Sequence, residues 1–338
     1  MKRSTLLTLG GIGLASWAIL RALRSDVSFA GKVVIVTGGS RGLGLTIARR
    51  LAAEGARLAL FARDEDELAK ASAELRELGG EALAVPCDLL DRDQSLGAIQ
   101  TVADHFGTID VLINNAGIIE VGPIENMRRP DFEKSMQLHF WAPFNLIQQV
   151  LPHMRRAGGG RIVNISSIGG KVAVPHMAPY SMSKFALVGL SDAFRSELAQ
   201  ENIQVTTVTP GMMRTGSQVH AKFKGNHGAE YTWFSLSTAL PFAAVNADRA
   251  AAKIVEACRH GQASLIIGFP ARIAIISNAV FPSLTGQAMK LVNRLLPGPV
   301  GVEGDEIKSG REARRERKMP AWLSRIGNGA VARKNNEA

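Results

Sequence analysis

The sequence predicts an α/β protein with a doubly wound parallel sheet, helices on both faces, and an extension at each end. Three observations carry this. Short β-branched runs alternate with longer helical patterns from Gly31 to Gly268. A glycine cluster, Thr37-Gly38-Gly39-Ser40-Arg41-Gly42-Leu43-Gly44, sits where the first run meets the first helical pattern. The chain has 338 residues and is 46% hydrophobic. That exceeds one α/β domain of about 250 residues and falls short of two.

The elements follow in order. Lys32–Thr37 (KVVIVT) is a short β-branched run and reads as a buried strand. Gly42–Glu54 has helical spacing, Arg57–Ala62 is the second strand, and the charged stretch Asp64–Leu78 is the second helix. Glu81–Cys87, Asp91–His105 and Asp110–Asn114 continue as strand, helix and strand. Asp131–Arg155 reads as one long helix, bent near Pro143 because proline cannot donate to the preceding turn. Arg161–Ile165 (strand), Ser181–Ala199 (helix), Ile203–Thr209 (strand), Asp248–Arg259 (helix) and Ala263–Gly268 (strand) complete the pattern. Right-handed crossovers make this a Rossmann-type sheet.

Residues 1–25, 26–270, 271–300 and 301–338 divide as apolar head, catalytic domain, apolar extension and basic, flexible tail. Thr5–Leu20 carries no charge and has 16 residues, short of the ~20 that cross a bilayer comfortably. The expectation is an uncleaved membrane anchor. A cleaved signal ending at Ser28-Phe29-Ala30 and a soluble or loosely docked helix compete with it. Basic residues on both flanks give no orientation. Ala271–Leu296 is again rich in apolar residues and reads as membrane-associated, or as cover for the sheet's edge.

The formal net charge of +10 is weighted toward the ends, including Arg311–Lys318, a solvated helix or loose tail. Zinc-finger and RNA-recognition signatures are lacking, so nucleic acid is not the expected partner. Two cysteines, Cys87 and Cys258, make no disulfide framework, and no Cys/His cluster has metal-ligand spacing.

The glycine cluster allows a tight turn and close approach of backbone to a pyrophosphate, with a helix N-terminus behind it. TGGSRGLG resembles the TGxxxGxG motif of the short-chain dehydrogenase/reductase family. The later motifs are similar and in order: Asp88, Asn114-Asn115-Ala116-Gly117, Ser167, Tyr180-Ser181-Met182-Ser183-Lys184 and Pro210-Gly211. The resemblance implies that Gly38, Ser40, Arg41, Gly42, Leu43 and Gly44 cradle the cofactor. Asp88 and Leu89 flank the adenine, and Asn115, Ala116 and Gly117 form the wall beside the ribose. Pro210, Gly211 and Thr215 hold the nicotinamide carboxamide. Arg63, with Arg41, stands where NADP(H)-preferring members place bases, and two guanidiniums can clamp a 2′-phosphate. Asp64, facing a 2′-hydroxyl, leaves NAD open.

Tyr180 and Lys184 are four residues apart at a helix start and share one face. A free tyrosine titrates near pH 10, and a neighbouring ammonium favours the phenolate. The resemblance implies that Tyr180 is the acid/base, that Lys184 also bonds the nicotinamide ribose, and that Ser167 orients the substrate oxygen while Ser166 points away. His139 stands where the family has an asparagine that supports a proton relay; it is a relay imidazole or a packing histidine. Gly216–Phe242 is the least regular segment and the expected substrate lid, with Met212, Met213, Tyr231, Trp233 and Phe234 making it apolar.

The expected function is hydride transfer between NADP(H) and an apolar carbonyl or alcohol, by a homo-oligomer whose catalytic domain is cytoplasmic and membrane-associated. The alternative is a cofactor-binding sensor or scaffold, motivated by His139. A sugar-nucleotide epimerase is disfavoured by the glycine spacing.

Overall fold

A computed structural model describes residues 26–214, 216–239 and 244–316, without side chains at 238 and 239. The apolar run Thr5–Leu20, Thr215 and the tail beyond 316 lie outside the described residues.

Seven strands form one sheet: β1 Val33–Thr37, β2 Arg57–Ala62, β3 Glu81–Pro86, β4 Val111–Asn114, β5 Gly160–Ile165, β6 Ile203–Pro210 and β7 Ser264–Ile267. Their spatial order is β7-β6-β5-β4-β1-β2-β3, all parallel. The order reverses between β1 and β4, which opens a crevice at the carboxyl ends of those strands. Successive residues of β1 point to opposite faces. Val34 and Val36 pack with α1 (Gly42–Ala53), α2 (Glu65–Glu77) and a helix later in the chain that carries Ile254. Val33 and Ile35 pack against α3 (Arg92–Phe106) and the helices that follow β4 and β5. The sheet is therefore buried on both sides, as its uninterrupted apolar strands require.

The predicted long helix between β4 and β5 is two helices, α4 (Arg129–Met136) and α5 (Ala142–Arg156), joined by a π-helical turn at Gln137–Trp141. Pro143, the second residue of α5, has no N–H to offer the preceding turn, which places the irregularity just before it. After β5 comes α6 (Ala178–Leu198). The expected irregular lid contains a helix, α7 (His227–Ala239), whose Tyr231 and Phe234 are buried with Phe223 and Val121. The apolar content that suggested an adaptable loop thus partly serves a small second core. α8 (Ala247–Arg259) precedes β7, and Ile254 lies on it.

The apolar extension is a helical pair, α9 (Phe269–Val280) and α10 (Pro282–Leu295). Among the described residues no helix is long and apolar enough to cross a membrane. The expectation of a flexible tail does not hold for residues 301–316. Lys308–Ser309 pairs with Lys222–Phe223, which pairs with Glu120–Val121, and α11 (Gly310–Glu316) follows. Arg128 bridges to Asp305, Asn126 donates to the carbonyls of Val300 and Gly301, and the Gly310 N–H bonds to Ala221. Those long-range partners, rather than local propensity, order a segment whose composition looks like a tail.

Candidate active site

The glycine loop closes the crevice on one side. Gly38 has a positive φ of 63°, which a side chain would resist. A Cβ on Gly44 would collide with the Gly38 carbonyl. α1 starts at Gly42 with Arg41 as its N-cap; no side chain caps it and its first turn holds no acid. The open N–H groups and the helix dipole suit a phosphate, so the cradle fits a dinucleotide.

The hub of this region is Thr37, the first residue of the glycine motif. Its Oγ1 accepts from the N–H of Asn115 at 2.9 Å and of Ala116 at 3.0 Å. Asn115 Nδ2 donates to the carbonyls of Thr37 and Gly38, at 2.9 and 3.3 Å. The loop after β4 and the glycine loop are therefore one unit. Asn114 reaches the opposite way, donating to Asn164 at 2.8 Å within the sheet.

Arg63 is exposed at the end of β2, with no ion pair among the described residues. Arg41 donates to both carboxylate oxygens of Glu67 at 2.8 Å, and Ser40 also reaches Glu67. Asp64 caps α2 by accepting from the Glu67 N–H at 3.0 Å, which engages one of its carboxylate oxygens. Asp88 is half-buried and accepts from Leu90, with Leu89 buried beside it.

On the other side, Ser167 lies two residues beyond β5 and Tyr180 stands in the first turn of α6. Ser167 Oγ accepts from the Gly169 N–H at 3.1 Å. Burial raises the tyrosine's pKa, and the nearby Ser167 hydroxyl opposes that shift. The expected depression by Lys184 is not seen in the chain alone. Lys184 Nζ lies 5.8 Å from the ring centroid of Tyr180 and donates to the Ile165 carbonyl at 2.8 Å. Burial lowers its own pKa to about 7, which weakens it as a fixed positive charge. Ser166 points away, as expected, and donates to the Lys184 carbonyl at 3.0 Å.

His139 lies in the π turn and is fully buried. Its Nε2 accepts from the Ile118 N–H at 3.1 Å, so the ring proton sits on Nδ1 and is donated to Ser183 Oγ at 2.7 Å. Burial first, and the Lys184 charge second, hold its pKa well below the usual histidine range. Both nitrogens are occupied and the ring stays neutral. The relay expectation gains no support from this geometry, and the packing alternative does.

Gly211 follows Pro210 at the end of β6, and its N–H bonds to the Ile267 carbonyl at 2.8 Å. His176 (φ 60°) contacts Glu230 of α7 at 2.9 Å, and Trp233 donates to the same carboxylate at 2.6 Å. Among the described residues no His/Cys/Asp/Glu group could hold a metal ion. Cys87 and Cys258 are buried, free thiols.

A profile described as short chain dehydrogenase matches residues 32–224. The chain belongs to the short-chain dehydrogenase/reductase family. It is 34% identical over 247 residues to the putative oxidoreductase SadH of Mycobacterium tuberculosis, covering 72% of this chain and 89% of that protein. It is 40% identical over 190 residues to a fatty acyl-CoA reductase of Acinetobacter baylyi, covering 55% of this chain and 63% of that one. Among solved structures, a metagenomic short-chain oxidoreductase in complex with NADP is 32% identical, with a TM-score of 0.59 over 72% of this chain and 99% of that one. L-sorbose reductase from Gluconobacter frateurii, complexed with NADPH and L-sorbose, is 26% identical, with a TM-score of 0.65 over 72% and 97%. Family membership makes the chain an oxidoreductase acting on CH–OH or C=O groups.

Proposed function

We propose that the chain is an NADP(H)-dependent carbonyl reductase or alcohol dehydrogenase with Tyr180 as its acid/base. The observation that carries this is the clustering of Tyr180, Lys184 and the Asn115–Gly117 wall: Lys184 Nζ lies 5.8 Å from the Tyr180 ring centroid, and a Cβ on Gly117 would stand 3.7 Å from the same nitrogen. When bound, the nicotinamide supplies or takes up the hydride. In the reductive direction Tyr180 gives its hydroxyl proton to the substrate oxygen, and Ser167 donates a hydrogen bond to that oxygen as charge develops. Lys184 would position the nicotinamide ribose, and its ammonium favours the tyrosinate left after the transfer. Pro210 and Gly211 would hold the carboxamide. His139 keeps the catalytic turn in place.

Exposed Arg63 at the end of β2 supports NADP(H) over NAD(H), and the neighbouring acid Asp64 has one carboxylate oxygen taken up by its helix cap. The NADP and NADPH complexes of the structural relatives point the same way. An apolar substrate is supported by half-buried Met212 and Trp233 near the mouth, and by the fatty acyl-CoA and ketoacyl reductases among the relatives. The reduced cofactor pool places the catalytic domain on the cytoplasmic side. Exposed Trp141, Met182 and Phe185 lie on the π turn and on α6 and support pairing of two copies there.

The test is NADPH oxidation by the purified full chain with long-chain aldehydes, ketones and steroids. Turnover of an apolar carbonyl is expected. NADPH binding without turnover of any carbonyl would favour the sensor reading instead.

A further inference from the structure

The helical pair after β7 leaves its apolar side uncovered. On α9, Phe269, Ile273, Ile276 and Val280 are all exposed. Their spacing of four, three and four residues puts them on one helical face. On α10, Leu284, Leu291 and Leu295 make a second such stripe, and Phe281 stands exposed at the joint between the helices. α10 buries no residue, and α9 buries only Ala271. Leu295 is 79% exposed and Phe269 75%, so these are not the rims of side chains already packed. A contiguous apolar face of this kind marks an interaction surface.

Its charge pattern identifies the partner. From Phe269 to Val300 the chain has no Asp or Glu, and its charged residues are Arg272, Lys290 and Arg294, all exposed. A second copy of the chain fits poorly. A two-fold contact repeats the same patch on both sides, so it would bring these cations together with no acid in the patch to pair them. An anionic surface meets the cations with complementary charge. A bilayer also needs no shaped pocket to receive the apolar stripes. Amphipathic helices with basic flanks and Leu, Ile and Phe on the other face lie in the bilayer interface in this way. The net charge of +10 favours the same approach.

We propose that the α9–α10 pair docks on an anionic lipid bilayer, with its apolar stripes set into the boundary between headgroups and acyl chains. The pair sits against the candidate site. A Cβ on Gly211 would touch Ala271, and Asn278 Nδ2 donates at 3.0 Å to the carbonyl of Lys171, next to the turn that Ser167 starts. Docking there sets the substrate mouth beside the lipid. The proposal rests on exposure and charge and does not depend on the reaction assigned above.

The test uses the full chain carrying Leu284→Cys, labelled with an environment-sensitive fluorophore. The native thiols Cys87 and Cys258 are buried, so labelling is selective. Leu78→Cys is the control: it is an exposed leucine beside β3, at the opposite edge of the sheet from β7. With vesicles of phosphatidylcholine and phosphatidylglycerol, the probe at 284 should shift to the blue and brighten several-fold, while the probe at 78 stays unchanged. Vesicles of phosphatidylcholine alone should give a weaker response, and Arg272→Gln, Lys290→Gln and Arg294→Gln together should remove the difference between the two. Three results would overturn the proposal. The chain could fail to bind vesicles. It could sediment with them while the probe at 284 does not respond, which would assign attachment to another segment such as Thr5–Leu20. Or the probe could respond without lipid as protein concentration rises, with sedimentation showing a dimer that Leu284→Glu breaks.

Discussion

His139 Nδ1 lies 2.7 Å from the hydroxyl of Ser183, and that hydroxyl donates to the main-chain carbonyl of Tyr180 at 2.9 Å. With the Ile118 N–H bound to Nε2, one buried ring ties the exit of β4 to the first turn of α6. The histidine is therefore a positioning residue between the cofactor wall and the proposed acid/base.

His139→Asn shortens that brace. One of its two hydrogen bonds is lost, leaving a buried partner unsatisfied at a cost of about 1–3 kcal/mol. We expect a folded, active variant with a lower denaturation midpoint. Because the native ring is held neutral, the pH–rate profile should keep its shape. A missing acid limb in the variant's profile would restore the relay.

Glu120 is buried in the short strand Glu120–Val121, with Oε1 unpaired among the described residues. Burial first, then the nearby Asp131, raise its pKa to about 7. The folded state thus holds this proton more tightly than the unfolded state, whose carboxyl titrates near the ordinary 4.5. The stability it contributes is fully present below pH 4.5 and is lost as pH rises toward 7. Glu120→Gln should flatten that part of the stability profile and raise stability at pH 8 by roughly 2–3 kcal/mol. Urea melts across pH would show it, and an unchanged slope would refute the assignment.

Arg63 and Arg41 differ in a way that cofactor affinities can read. Arg63 is unpaired among the described residues, whereas Arg41 is shared with Glu67. Arg63→Ala should lose about 1.5–3 kcal/mol of NADPH binding, the worth of a charge-assisted hydrogen bond. NADH binding should hold, and Arg41→Ala should lose less NADPH affinity. Calorimetric titration of both cofactors decides it; equal losses for NADH and NADPH would remove Arg63 from the 2′-phosphate.

The sheet was legible because period and length separate its strands from its helices; β1, β2 and β6 lie within a residue of their expected ends. The bend near Pro143 was legible from the missing N–H, but its π form was not, since that depends on how the following turns repack. The three paired dipeptides Glu120–Val121, Lys222–Phe223 and Lys308–Ser309 are too short to carry any period. Residues 301–316 are ordered by partners over 170 residues away in the chain, such as Asn126 with Gly301, and basic composition hides that. In the candidate site, Tyr180, Ser167 and the glycine loop were legible as motifs. Thr37 was legible only as the first residue of that loop; its bonds to the turn after β4 depend on which strands lie side by side and leave no mark in the sequence.

The central claim is that Tyr180 transfers the proton. Tyr180→Phe keeps the half-buried ring against Gly169 and removes only the hydroxyl. The measurement is reduction of the best carbonyl substrate by the NADPH-loaded variant, with NADPH affinity measured in parallel by fluorescence. We predict unchanged affinity and a rate lower by on the order of 10²–10⁴-fold, the usual worth of a positioned general acid. A variant that binds NADPH normally and keeps most of its rate would contradict the account.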